Sequence, residues 1–185
     1  MKMVELTKIL NGLSRDHGKK MFTLREMSIL TGEGRPAVGM ALLRAKREGL
    51  IARVVNIWVN MIDRPLLEEL ALEIRGLSYI SFESALYRHG ILSQSPRGAL
   101  TLATIQRPGR ISTPLGEIVF IHISKRLFFG FDSSRLALPE KAYLDFLYMN
   151  IRKGRGEVSE IVYKEELNGK ILSAMSKKFP AYVRL

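Results

Sequence analysis

Arg25, Arg35, Arg44, Arg47 and Arg53, with Lys46 among them, are the residues of this chain whose type and spacing could do chemistry. The chemistry is recognition of a polyanion. An arginine can bridge guanine O6 and N7 with two hydrogen bonds, or it can neutralise a backbone phosphate. Arg35 and Arg44 are the best placed for base or phosphate contact. Lys46 and Arg47 lie further along the same segment, where phosphate contact is expected. Arg53, in a β-rich run, and the basic pair Lys19-Lys20 could grip the flanking backbone, and Arg25 opens the helix that would cross it. The same segment offers Ala37, Gly39 and Met40, which carry few hydrogen-bonding groups, so readout through DNA shape is also open. The ordinary alternative for each arginine is a solvated surface.

Catalytic constellations are not visible. The three histidines, His17, His89 and His122, are far apart, and there is no HExxH, Walker loop or dinucleotide fingerprint. Gly18-Lys19 and Gly169-Lys170 lack phosphate-loop spacing, and Arg152-Lys153-Gly154-Arg155-Gly156 reads as a basic surface turn. Glu140 and Asp145, five apart on a helix, would not point together. With no cysteine there is no disulfide, cysteine nucleophile or thiolate metal site. The expectation is a non-enzyme with no cofactor and no metal.

The elements that must position the arginines are legible. Thr23 and Glu26 form a capping box, with Phe22 and Met27 at the flanking apolar positions, so a short helix covers about 24–30. Thr31-Gly32-Glu33-Gly34 is a turn. Pro36 starts a second helix that runs to about Glu48 and stops at Gly49. Val38, Leu42 and Ala45 should face the core, which leaves Arg35, Ala37, Gly39, Met40, Leu43, Arg44 and Arg47 outside. Residues 50–55 and 57–59 are β-rich runs around Asn56. Helix, turn, helix and two-stranded wing make a winged helix-turn-helix. Before it, 4–13 reads as an amphipathic helix with Val4, Leu6, Ile9, Leu10 and Leu13 on one broad side. Residues 14–20 read as a polar turn, and Met21-Phe22 as a short strand pairing with the wing.

The charge balance agrees. The net charge is +11 and the sequence pI about 10.1, which points to a polyanionic partner. Residues 1–60 hold 11 Lys and Arg against 5 Asp and Glu, and residues 61–185 hold 18 against 13. Per residue, the excess is about twice as dense in the first stretch. No apolar run approaches the roughly 18–20 residues of a membrane span. The N-terminus lacks an apolar signal core, and a cytoplasmic protein is expected.

Three regions follow: a winged helix over 1–62, a connecting helix over 63–76 and a second domain over 77–185. In the connector, Asp63 can cap and Pro65 can start a helix through about Arg75. In the second domain, Ser81 is expected to cap a helix to about His89. Residues 99–107, 117–123 and 127–131 read as strands, with turns at 114–116 and 124–126. Pro139 starts a strong helix ending near Lys153-Gly154, with Ala142, Tyr143, Phe146 and Leu147 inward. Residues 159–179 read as one or two helices broken near Asn168-Gly169. The fold class is α+β.

The run Tyr79-Ile80-Ser81-Phe82-Glu83-Ser84-Ala85-Leu86-Tyr87-Arg88-His89-Gly90-Ile91 resembles the signature of the AbiEi family, the antitoxins and autoregulators of type IV toxin–antitoxin systems. Three later segments agree in order: Thr113-Pro114-Leu115-Gly116; His122-Ile123 with Leu127-Phe128-Phe129-Gly130; and Leu138-Pro139-Glu140-Lys141-Ala142 with Leu144-Asp145 and Leu147-Tyr148. The resemblance implies a repressor that binds inverted repeats in its own promoter, in an operon of the abortive-infection, phage-defence kind. The operon would also encode a nucleotidyltransferase-like toxin, countered without a stable complex. The motif residues have local readings too. Tyr79, Phe82, Leu86 and His89 fall near helical spacing and should pack. Glu83 with Arg88, or Glu140 with Lys141 and Asp145, could pair on helix surfaces. The aromatic-basic stretch Lys125 to Phe131 could stack on single-stranded RNA.

Two other functions stay open: a winged-helix regulator whose second domain senses a small ligand, and an interaction module that holds the toxin directly. Inverted-repeat binding needs two modules in two-fold arrangement. With no long heptad seam visible, a monomer or a DNA-assisted dimer is expected.

Overall fold

The computed structural model describes residues 2–93, 96, 98–154 and 163–183, and it is an α+β fold in two compact units, Met1–Leu70 and Ala71–Leu185. In the first, helix α1 (Met3–His17) precedes strand β1 (Met21–Phe22), helices α2 (Leu24–Thr31) and α3 (Arg35–Arg47), and the hairpin β2 (Ile51–Val54) and β3 (Ile57–Asn60). The strands form an antiparallel sheet in the order β1-β3-β2, so the two-residue strand does pair with the wing, Phe22 opposite Trp58. Leu6, Leu10, Phe22, Met27, Val38, Leu42, Ala45, Ile51 and Trp58 make one core.

Local chemistry sets the helix ends. The capping box forms: Thr23 Oγ1 accepts from the Glu26 amide at 3.2 Å, and Glu26 Oε2 accepts from the Thr23 amide at 2.7 Å. Gly32, at φ +69°, closes α2 in the left-handed region. Helix α1 differs from the expected 4–13, because it continues through the supposed polar turn to His17. The amides of Gly18 and Lys19 donate to Ser14 and Leu13 carbonyls at 3.0 Å each, and Gly18 supplies the left-handed residue. Val4 is exposed, outside the buried stripe of Leu6 and Leu10.

Helix α4 (Leu67–Ile74) spans the boundary between the units. It is shorter than expected, and Asp63 does not cap it. Asp63 accepts from the Ser14 hydroxyl and pairs with Lys20, while Glu69 accepts the Leu66 amide at 2.8 Å.

The second unit carries strands β4 (Ser78–Ile80), β5 (Ala99–Thr104), β6 (Gly109–Thr113) and β7 (Gly116–His122), with helices α5 (Phe82–Arg88), α6 (Pro139–Arg152) and α7 (Gly169–Ser176). The sheet order is β4-β5-β7-β6, with β5 and β7 parallel and the other pairs antiparallel. Thr113 Oγ1 closes the β6–β7 turn, donating to the Gly116 carbonyl at 2.7 Å and accepting from Leu115 N at 3.1 Å. Asn168 caps α7, where a break was expected. Residues 155–162 lie outside the described residues, including Arg155-Gly156 of the basic turn and the start of the expected tail helix.

Three expectations fail here. Residues 127–131 are not a strand: a short 3-10 turn at Lys125–Leu127 leads to Gly130 at φ +74°, and Phe131 makes only an isolated bridge to Ala137. A β-carbon on Gly130 would lie 3.1–3.3 Å from the Lys141 side chain, so a larger residue would have to push that buried side chain aside and also adopt a left-handed backbone. Ser81 stands at the N-cap of α5 but does not cap with its hydroxyl, which donates to Asp145 Oδ2 at 2.8 Å. Lys141 and Asp145 do pair, yet both are 0% exposed rather than on a helix surface.

Candidate nucleic-acid interface

Helix α3 buries Val38, Ala41, Leu42 and Ala45. At about 100° per residue, the opposite crest carries Pro36, Met40, Leu43 and Arg47. Arg35, Gly39 and Lys46 line one flank of that crest. Ala37 and Arg44 line the other, since nine residues turn Arg44 about 180° from Arg35.

The Arg35 flank faces the wing. Thr23, Leu24, Arg25, Arg35, Gly39, Leu43, Arg53, Asn56 and Trp58 together line an open groove of about 390 Å³. Three guanidinium-bearing side chains from α2, α3 and β2 therefore converge on one depression. Arg53 is held there by its neighbours. Its guanidinium lies 5.6 Å from the Trp58 ring centroid, a cation–π distance, and its Nε donates to the Val55 carbonyl at 3.3 Å. The two-residue loop Val55-Asn56 enforces this pairing, because closing it with Val54 opposite Ile57 puts Arg53 opposite Trp58. That consequence was readable from the sequence, and it would have added Trp58 and Asn56 to the site.

The other basic residues are distributed differently. Arg44 lines a separate, smaller recess with Lys2, Met3, Leu6 and Ala41, so it does not share a surface with Arg35. Lys46 and Arg47 are exposed at the last turn of α3. Lys19 pairs with Glu26 at 2.5 Å and Lys20 with Asp63 at 2.9 Å, so both help to hold the module's own loops. Partial burial by itself would raise the Glu26 carboxyl, but hydrogen bonds from Lys19 and Thr23 outweigh it and hold the pKa below the usual range. Asp63 is likewise lowered, by the Ser14 hydroxyl and then by Lys20.

The second unit holds its polar cluster inside. Lys141 Nζ pairs with Asp145 and donates to the Tyr79 hydroxyl at 2.7 Å, and that hydroxyl donates to Asp145 Oδ2 at 2.8 Å. The rings of Tyr79, Phe129 and Phe179 surround the ammonium at 5.0–5.2 Å. Burial lowers the Lys141 pKa despite Asp145. The same burial, with Asp145 alongside, pushes the Tyr79 hydroxyl well above its usual range. The geometry is that of a closed, mutually satisfied core cluster. Among the described residues, no group of His, Cys, Asp and Glu is arranged to hold a metal ion.

No family model and no curated protein matches this sequence. Solved structures do give a likeness. The protein is similar to the crystal structure of the RV2827C protein from Mycobacterium tuberculosis, with a TM-score of 0.61 and 15% identity, over 96% of this chain and 72% of that one. At that identity the likeness is one of fold. It agrees with the α+β architecture and leaves function to the residues of this chain. Among the described residues no helix is long and apolar enough to cross a membrane.

Proposed function

We propose that the protein is a cytoplasmic, non-catalytic DNA-binding repressor that reads double-stranded inverted repeats in its own promoter. The observation that carries the reading is the groove where Arg25, Arg35 and Arg53 converge beside the exposed crest of α3. Side chains on the flank of a helix and at the base of a wing can hold consecutive phosphates while the helix enters the major groove. The first unit's dense positive charge supports the same partner. The motif resemblance extends the proposal to a type IV antitoxin of the AbiEi kind, acting against a nucleotidyltransferase-like toxin without a stable complex.

A gel shift on the DNA just upstream of the gene tests the first part. Wild type is compared with Arg35→Ala/Arg53→Ala, on that duplex and on a scrambled one, across a salt series. Specific, salt-sensitive binding that the double variant loses is the expected result. Equal binding to both duplexes would reduce the groove to a basic surface. Co-expression with the neighbouring gene product tests the second part, and toxicity undiminished by the full chain would refute it.

A further inference from the structure

From Pro36 to Leu43, before Arg47 in the last turn, the crest of α3 is apolar where a duplex-reading helix would be expected to carry hydrogen-bonding groups. Pro36, Met40 and Leu43 follow one another at the i, i+4, i+7 spacing of a single row, and all three are exposed, Met40 by 59% and Leu43 by 43%. The row is one residue wide, with Arg35, Gly39 and Lys46 on one side and Ala37 and Arg44 on the other. Cations on both sides suit a polyanion across the row and disfavour an extended apolar partner. In a major groove, the one apolar group that a base edge presents is the C5-methyl of thymine.

We propose that α3 recognises its operator by packing Pro36, Met40 and Leu43 against thymine methyl groups. This rests on the duplex-binding reading above. Seven residues of helix span about 10.5 Å, roughly three base-pair steps at 3.4 Å each. The recognised thymines therefore lie within about four consecutive base pairs of each half-site. Arg35 and its groove neighbours fix the helix against the backbone, and the methyl row supplies the sequence preference.

The test begins with selection of duplexes from a random library by the full-length protein. The enriched duplex is then made with thymine and with deoxyuridine, which removes the methyl and keeps every hydrogen-bonding group. Each lost methyl contact is expected to weaken wild-type binding about fourfold, the transfer value of one buried methyl-sized group. Met40→Gln/Leu43→Gln changes two exposed side chains, so its fold should be intact, checked by an unchanged melting curve. That variant keeps Pro36, so it is expected to lose the share of the thymine-over-uracil preference that Met40 and Leu43 supply, about fourfold for each contact. Equal wild-type affinity for the two duplexes, with specific binding retained, would overturn the methyl reading and leave the repressor reading standing. Discrimination undiminished in the double variant would also overturn it. Failure to enrich any duplex would overturn both readings.

Discussion

The two units handle charge in opposite ways. The first keeps an apolar core of residues such as Leu6, Met27, Val38 and Leu42 and sets its cations outside it. The second places a lysine and an aspartate, both 0% exposed, at the centre of its helix–sheet packing. A surface cation adds little to stability even where it is paired, as Lys19 and Lys20 are, so it can turn to a ligand at small cost. A buried ion has no water to fall back on and is tied to its partners, whatever else the domain does. Replacing either kind of residue therefore breaks something different. The chain also carries its own reporters, because its single tryptophan, Trp58, lies in the first unit and all six tyrosines lie in the second.

The largest effect is expected from Asp145→Ala. It strands the Lys141 ammonium among the rings of Tyr79, Phe129 and Phe179, and loss of one partner of a buried pair costs about 3–5 kcal/mol. Urea unfolding followed by near-ultraviolet dichroism of the tyrosines should show it. Arg35→Ala/Arg53→Ala should leave unfolding nearly unchanged while flattening the salt dependence of duplex binding by about one unit of slope per lost phosphate contact. Comparable destabilisation by both variants would erase the contrast between the units.

Tyr79→Phe sharpens the comparison within the buried cluster. The hydroxyl accepts from Lys141 and donates to Asp145, so its removal leaves both short of a partner at about 1–3 kcal/mol. It also carries a pH signature. The folded pKa of Tyr79 is raised, so its contribution is complete below the unfolded value of about 10 and is lost as pH rises toward the folded one. The Lys141 shift runs the other way, because a lowered lysine pKa makes stability rise with pH up to its unfolded value. The phenylalanine variant should lose the tyrosine part of the alkaline decline. An alkaline unfolding limb identical to wild type would show that folding does not raise the Tyr79 pKa.

What the sequence made legible follows the same division. In the first unit, signals are local and agree: Thr23 with Glu26, Pro36, and the spacing of Val38, Leu42 and Ala45 name the helices and their buried side. The two β-rich runs and Asn56 mark the wing, although Val55, read as the end of the first run, lies in the loop at φ 56°. The two flanks of α3 were harder to see, and Arg44 was grouped with Arg35 although nine residues separate them by half a turn of rotation. In the second unit, the decisive contacts join residues more than 60 positions apart, such as Tyr79 and Ser81 with Asp145. A Lys and an Asp at i, i+4 look like a surface pair until the aromatic residues that cover them are placed. Strand β6 is an edge strand of half-exposed and exposed residues, with too little apolar alternation to announce itself. Strand β4 is three residues long and was absorbed into the helical spacing that runs on through Phe82 and Leu86.

Thr23→Ala probes the local logic of the first unit at a smaller scale. Loss of a threonine N-cap costs about 1 kcal/mol, and here it also removes one of the hydrogen bonds that hold Glu26 ionised. Because the folded Glu26 pKa is lowered, its stabilisation is present above the unfolded carboxylate value and disappears as pH falls through the folded one. The variant should therefore lie closest to wild type in acid and furthest below it near neutrality, with selectively excited Trp58 fluorescence as the probe. A constant offset across that range would separate the cap from the carboxylate.

The smallest effect distinguishes folding from recognition at a single position. Gly39 sits inside α3, where glycine is worse than alanine by about 0.5–1 kcal/mol. Nothing steric requires it, since an added β-carbon would lie 4.0 Å from the nearest atom, Leu24 Cδ1, an ordinary contact. The residue does line the groove between Arg35 and the wing. Gly39→Ala should therefore raise the melting temperature of the first unit while weakening duplex binding, because a methyl group narrows the space where a backbone would lie. Stabilisation with undiminished affinity would place the phosphate track off Gly39, toward the Arg25 or Arg53 side of the groove. Destabilisation would instead mean that α3 packs more tightly at this position than its 4.0 Å clearance allows.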